Sequence, residues 1–275
     1  MSSLESIVLG IIQGVTEFLP VSSSGHLVLF QSLFGLEEPQ LFFDIVLHGG
    51  TLLAVILVYW DDIRSIAEDL FCYLADRARR KAGPGFLGRP GCRFALWIVV
   101  GTVPAGLVGL TFGKRIEPLF ASPLLVGVAL LVTGSVLWLT ACFRGRGREV
   151  PEMGFWDAVW IGVSQGLALL PGISRSGMTV SAGLLRGLDR ELSARFSFLL
   201  VIPATLGALL LAFVPHGGSG APAPVHLFLG GGVAFVTGYG SLRLLLGMIR
   251  GGRFYRFAYY CWAAGVAALI LSLVG

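Results

Sequence analysis

Charge is what this sequence has least of: Asp, Glu, Lys and Arg together make up 13% of its 275 residues. So little charge cannot cover the surface of a soluble domain of this length, and a hydrophobic share of 55% with mean hydropathy +0.81 places the chain among polytopic membrane proteins. Cysteine is scarce as well. Cys72, Cys92, Cys142 and Cys261 stand alone, with no CxxC pair and no Cys/His cluster, which excludes a zinc site and a disulfide framework and leaves each as a small apolar filler. Basic residues are missing from Met1 to Glu5, so no cleaved signal peptide is expected. The formal charge of +4 comes from residues scattered through short connections, which fits cytoplasmic loops and not nucleic-acid binding.

The polar groups that are present gather at two breaks. From Gln165 to Thr179 an apolar helix pattern runs into Pro171-Gly172, and then Ser174, Ser176 and Thr179 surround the lone cation Arg175. Backbone that leaves a helix at membrane depth strands N–H and C=O groups, which are tolerated only where protein or a water-filled cavity satisfies them. An earlier break repeats the pattern. One shift of 152 positions lays Gln13-Gly14 and Ser22-Ser23-Ser24-Gly25 over Gln165-Gly166 and Ser174-Arg175-Ser176-Gly177, with Pro20 one place from Pro171's equivalent.

Residues 1–36 and about 155–190 each read as two helices too short to span singly, hence as re-entrant hairpins. Full spans are expected at 41–60, 94–113, 122–143, 194–214, 225–249 and 255–274, and an amphipathic surface helix at 63–75. Placing the Arg77–Arg93, Arg144–Arg148 and Arg250–Arg256 connections in the cytoplasm leaves the turn at 215–224, which has no Lys or Arg, outside; Lys114 and Arg115 weigh against this, Glu117 sharing their turn. The two hairpins then enter from opposite sides. The expected fold is an all-α polytopic membrane protein with an inverted-topology repeat, each half a re-entrant hairpin plus three transmembrane helices. It forms one integral domain over 1–275, with halves of about 1–148 and 155–275.

Meeting at mid-membrane, the hairpins bring Glu17, Ser22, Ser23, Ser24 and His26 towards Ser174, Arg175, Ser176 and Thr179. Arg supplies a planar fork of donors suited to phosphate oxygens, and free N–H groups at short helix starts favour the same anion. Glu17 suits such a site as a ligand of a divalent cation held jointly with substrate phosphates, or as a general base. His26 has three roles open to it, base, proton donor or nucleophile, and Ser23 is a nucleophile if His26 lies within reach. Structural readings stand beside these. Gln13, four residues from Glu17 on one helix face, could bond a neighbouring helix; Glu17 and Arg175 could be an ion pair across the repeat interface; the serines could satisfy broken backbone. Asp44 reads as interfacial and His48 as a structural hydrogen-bonder.

The stretches Gln13-Gly-Val-Thr-Glu17-Phe-Leu-Pro-Val-Ser-Ser-Ser-Gly-His26 and Pro171-Gly-Ile-Ser-Arg-Ser-Gly-Met-Thr179 closely resemble the two signature motifs of the bacterial undecaprenyl-diphosphate phosphatase (bacitracin-resistance protein) family. The resemblance implies a multi-pass enzyme of the bacterial inner membrane, with its site on the outer side. It would hydrolyse undecaprenyl diphosphate to the monophosphate carrier for peptidoglycan synthesis and confer bacitracin resistance. It further implies Glu17, Ser23, His26 and Arg175 in catalytic positions, a divalent cation (Mg²⁺ or Ca²⁺) held through Glu17, and Gln13, Ser22, Ser24, Ser174, Ser176 and Thr179 at the diphosphate. The family has Glu or Gln at the first motif position; with Gln13 here, metal binding depends more on the substrate's own oxygens. The expected partners are a polyprenyl diphosphate and membrane lipids, with no nucleic acid and with a homodimer left open. Between a serine nucleophile and activated water, Ser23 assisted by His26 is favoured.

Two rivals remain at this stage. Inverted repeats with broken helices also build polyprenyl-phosphate transporters and flippases. Ser24-Gly25-His26 matches part of the type-2 phosphatidic acid phosphatase pattern, but that family's Arg six residues before a second His is absent, since Leu210 precedes His216 and Gly220 precedes His226.

Overall fold

The computed structural model describes residues 1–36, 41–80, 83–116, 118–119, 122–142, 147–212 and 223–274. Lys81, Glu117, Arg144, Arg146 and residues 215–222 of the uncharged turn lie outside them. The described residues form helices and no strand; Arg148 and Leu188 share one isolated bridge.

The first break is a pair of short helices, α1 (Ser3–Phe18) and α2 (Ser23–Leu33). Ser2 and Glu5 start α1 with a reciprocal cap, the Glu5 N–H donating to Ser2 Oγ at 3.3 Å and the Ser2 N–H to Glu5 Oε2 at 2.8 Å. Pro20 ends it by pushing Leu19 out of helical geometry to φ −62°, ψ 139°. Ser22 then turns the chain with φ 68°, in the left-handed region. At 16 residues, α1 is about 24 Å long, less than a bilayer core.

Six apolar helices, one amphipathic helix and a second pair of short helices make up the rest of the α-helices among the described residues. After the first hairpin come α3 (Leu41–Val58), α4 (Trp60–Ala78), α5 (Pro90–Ile116) and α6 (Pro123–Leu139). The second hairpin is α7 (Phe155–Leu167) and α8 (Arg175–Leu185), followed by α9 (Arg190–Ala212), α10 (Pro224–Arg250) and α11 (Phe257–Val274). The six expected spans correspond to α3, α5, α6, α9, α10 and α11, but among the described residues α5, α9, α10 and α11 are long and apolar enough to cross a membrane singly, whereas α6 is shorter and α3 reaches that length together with α4. The amphipathic helix, α4, is longer than its expected 63–75, bends 73° away from α3 and buries no residue.

The two hairpins exchange partners. Helix α1 packs on α10, and α7 on α5, so each hairpin leans on a helix from the other half of the sequence. The same glycines permit both contacts. A Cβ at Gly10 would come within 2.6 Å of the Gly230 carbonyl oxygen, and one at Gly162, 152 positions on, would collide with the Gly101 carbonyl oxygen. Helices α6 and α11 meet through a matched pair: a Cβ at Gly127 would lie 3.0 Å from the Gly265 oxygen, and one at Gly265 2.8 Å from the Gly127 oxygen. Small residues at such crossings bring backbones close where no hydrophobic drive separates helix from lipid.

Where α3 and α9 cross between the hairpins, Phe18, Phe196, Phe198, Leu199 and Leu200 are buried, and Phe18 meets Phe198 edge to face with centroids 5.8 Å apart. Outward, Leu53, Leu57, Val103, Leu107, Leu210 and Phe228 are exposed, an apolar exterior suited to lipid. Cys92 and Cys261 are buried fillers as expected. Cys72 and Cys142 are exposed instead, because each falls on an outward helix or turn face.

Candidate active site

Glu17, one residue before the end of α1, is where the two breaks meet. Its Oε1 accepts from Arg175 Nη2 at 2.6 Å, and its Oε2 accepts from Ser23 Oγ at 2.6 Å and from Gln13 Nε2 at 3.0 Å. His48 Nε2 stands 3.7 Å from Oε2. Four groups from α1, α2, α3 and α8 thus converge on one carboxylate. A cavity of about 640 Å³ opens beside it, lined at this end by Glu17, Ser22, Ser23, Ser24, Asp44, His48, Ser174 and Arg175. It continues as an apolar arm between α5 and α9, past Ala105, Gly109, Leu110, Ala204, Ala208 and Leu209.

The local sequence explains how each group is held. Ser174 caps α8 by accepting from the Gly177 N–H at 3.2 Å, and Thr133 of α6 bridges the turn, donating to the Gly172 carbonyl at 3.3 Å and accepting from the Ser174 N–H at 3.2 Å. Pro171-Gly172, with Gly172 at φ 87°, lets Arg175 enter the site from the first position of a helix. Ser22 and Ser24 hydroxyls are 3.4 Å apart, and their counterparts Ser174 and Ser176 are 3.2 Å apart.

The family described as bacitracin resistance protein BacA matches residues 6–267. This chain belongs to the BacA family. Among curated relatives, undecaprenyl-diphosphatase of Desulfosudis oleivorans is 49% identical, covering 99% of this chain and 100% of its own. The undecaprenyl-diphosphatases of Desulfatibacillum aliphaticivorans and Desulforapulum autotrophicum are 46% and 43% identical, covering 100% of both chains in each case. With its apolar exterior and helices of spanning length, this BacA-family chain is a multi-pass membrane protein.

Several expected site residues stand elsewhere than the sequence suggested. His26 does not reach Ser23: its Nδ1–H donates to the Ser22 carbonyl at 2.8 Å and its Nε2 accepts from the Tyr260 hydroxyl of α11 at 2.6 Å. The group that takes Ser23's hydrogen bond is Glu17. Ser176 and Thr179 are buried and do not line the cavity. On α8 they fall on the face turned inward, where Thr179 Oγ1 donates to the Arg175 carbonyl at 2.8 Å and pairs with Ser197. Gln13 is buried behind Glu17 and touches the carboxylate, not the cavity wall.

His48, expected to be structural, lines the cavity beside Glu17, with Asp44 one turn away. Its Nδ1–H donates to the Asp44 carbonyl at 2.7 Å, leaving Nε2 to face the carboxylate. The signal was available. Asp44 and His48 sit four apart in an otherwise apolar helix, the same spacing as Gln13 and Glu17. Tyr260 carried no such signal, because a Tyr that follows Tyr255 and Tyr259 near a span end reads as an interfacial anchor.

The donors present suit a divalent cation in a limited form. No group of three His, Cys, Asp or Glu side chains placed to hold a metal ion occurs among the described residues. Gln13 touches Glu17 through Nε2 and lies off the cavity wall. Glu17 is then the carboxylate of the cluster that fits an ion completing its shell with substrate oxygens.

Proposed function

We propose that this protein hydrolyses undecaprenyl diphosphate to undecaprenyl phosphate and inorganic phosphate, recycling the lipid carrier of peptidoglycan synthesis and so conferring bacitracin resistance. The observation that carries this reading is the Glu17–Ser23–Arg175 cluster at the polar end of a cavity whose other arm is apolar. The polyprenyl tail lies in that arm, and the diphosphate faces the cluster.

Arg175 enters with one face of its fork free, since Nη1 is buried without a partner among the described residues while Nη2 holds Glu17. A diphosphate offers this guanidinium a bidentate partner. As Arg175 turns to it, Glu17 loses its counter-ion and becomes able to take the Ser23 proton. Ser23 Oγ attacks the terminal phosphorus, the bond from that phosphorus to the bridging oxygen breaks, and the lipid monophosphate leaves with the electron pair and takes up the proton that Glu17 received from Ser23. A water then attacks the phosphoserine and gives one proton to the freed Glu17 carboxylate, which passes it to Ser23 Oγ as the phosphorus–Oγ bond breaks, releasing phosphate with the Ser23 hydroxyl restored. Arg175 steadies the charge on the equatorial oxygens in both steps. A divalent cation held by Glu17 together with the substrate's own oxygens would supply further neutralisation of the diphosphate.

The partner exchange of the hairpins, the matched glycines and the paired serine contacts support an inverted repeat with halves 1–148 and 155–275. Membership of the family suggests the bacterial plasma membrane and a cluster open to the outer side, while the loop charges bear on the orientation of the connections. Purified protein given C55 isoprenyl diphosphate is expected to release phosphate and to stop when a chelator removes divalent cations. Binding of the lipid diphosphate with no phosphate release, with or without cation, would overturn the enzyme reading and favour a transporter.

A further inference from the structure

Gln165 is a polar residue of the second break that the proposed reaction leaves unused. It is 3% exposed, lines the cavity, and neither its Nε2 nor its Oε1 has a partner among the described residues. A buried amide left without partners forfeits the hydrogen bonds it makes to water in the unfolded chain, so the position is destabilising unless something in the cavity completes it. Its counterpart 152 positions earlier, Gln13, gives its Nε2 to Glu17. Gln165 has no such neighbour, because the residue matching Glu17 is Leu169, which lines the same cavity. The second half therefore keeps the amide and lacks the carboxylate.

The location indicates what the amide meets. Helix α7 lies against α5: a Cβ at Gly162 would collide with Gly101, and one at Gly166 would lie 3.6 Å from the Ala105 Cα. Gln165 thus lines the same cavity as the Glu17–Arg175 cluster, on the helix that packs against α5, one wall of the arm. Thr102 of α5, on the same lining, uses its hydroxyl on the Ile98 carbonyl at 2.8 Å, so the amide is an unpaired donor among the described residues of this wall. Exchange of the amide N and O assignments does not alter this, since either orientation presents N–H. A lipid diphosphate with its terminal phosphate at Ser23 and its tail along the arm has its chain-linked phosphate between them.

We propose that Gln165 is a substrate-binding residue: its amide donates to the chain-linked phosphate, and with Arg175 it fixes which of the two phosphates is presented to Ser23. The proposal rests on the phosphatase reading above. It makes Gln165 the group that separates a diphosphate from a lone phosphate by grip on the second one. The amide oxygen accepts from water that accompanies the head group.

Gln165→Met keeps the length and removes the donor; Gln165→Glu keeps the shape and adds a charge that repels phosphate. With a C15 prenyl diphosphate as substrate, Gln165→Met is expected to raise KM about tenfold to a hundredfold, the range of a hydrogen bond to a charged group, with kcat within about threefold of wild type. Inhibition by the C15 monophosphate, whose phosphate is chain-linked, should weaken by a similar factor. Inhibition by inorganic phosphate should stay unchanged, and the thermal midpoint should hold or rise. Gln165→Glu should raise KM further. An unchanged KM in either folded variant, or a lower midpoint in Gln165→Met with KM unchanged, overturns the proposal by making Gln165 a structural residue. Wild-type protein that releases no phosphate would be the failure of the phosphatase reading itself.

Discussion

Glu17→Gln is expected to lower phosphate release about a thousandfold, within the usual range for loss of a positioned base. The substitution preserves volume and leaves an acceptor for Ser23 or Arg175, so the fold should survive. What disappears is the group that, among the described residues, accepts the Ser23 Oγ hydrogen bond and can take its proton, together with the anion that holds Arg175 across the cavity mouth. Both losses act on the chemical step. The fall should therefore appear in kcat, with KM changed little or lowered, because Arg175 is then free for the diphosphate from the outset. A Glu17→Gln protein with wild-type kcat would remove Glu17 from the proton path.

Arg175→Lys is expected to cost about a hundredfold to a thousandfold in kcat/KM, the scale seen when an oriented donor to a developing charge is removed. Lys keeps the charge and could keep an ion pair with Glu17. It cannot present two coplanar donors, one on Glu17 and one free, which is the feature that lets substrate displace the resting pair. Steady-state kinetics on the C55 or C15 diphosphate read this directly. Near-normal turnover by Arg175→Lys would mean that a point charge suffices and that the fork has no part in the reaction.

Much of this architecture was legible because membrane constraints leave few alternatives. Apolar runs of spanning length became helices α5, α9, α10 and α11, shorter apolar runs became α3 and α6, and the Pro-broken segments became hairpins, since no other backbone is tolerated there. The shift of 152 positions also anticipated real contacts. It pairs Gly10 with Gly162 at matching helix crossings, and Ser22/Ser24 with Ser174/Ser176. The repeat is uneven at the centre. Ser23 corresponds to Arg175 and Glu17 to Leu169, so one half supplies hydroxyl and carboxylate while the other supplies the cation.

What the sequence did not convey was direction. His26 follows Ser23 by three residues, close enough on a helix to suggest a pair, yet its ring turns back to the Ser22 carbonyl and outward to Tyr260, 234 positions away. Thr179 and Ser176 belong to the same motif as Arg175, but α8 carries them inward to neighbouring hydroxyls. His48 looked isolated because its partner, Glu17, comes from another helix. Contacts between distant segments depend on how the hairpins cross α5 and α10, and no local pattern encodes that crossing.

The assignment of Ser23 as the attacking group under Glu17 is the central claim, and acid-quenched labelling tests it. Wild-type protein mixed with substrate labelled in the terminal phosphate should carry label on the peptide that contains Ser23, and Ser23→Ala should show neither label nor turnover. Full turnover by Ser23→Ala would contradict the account and assign the attack to water.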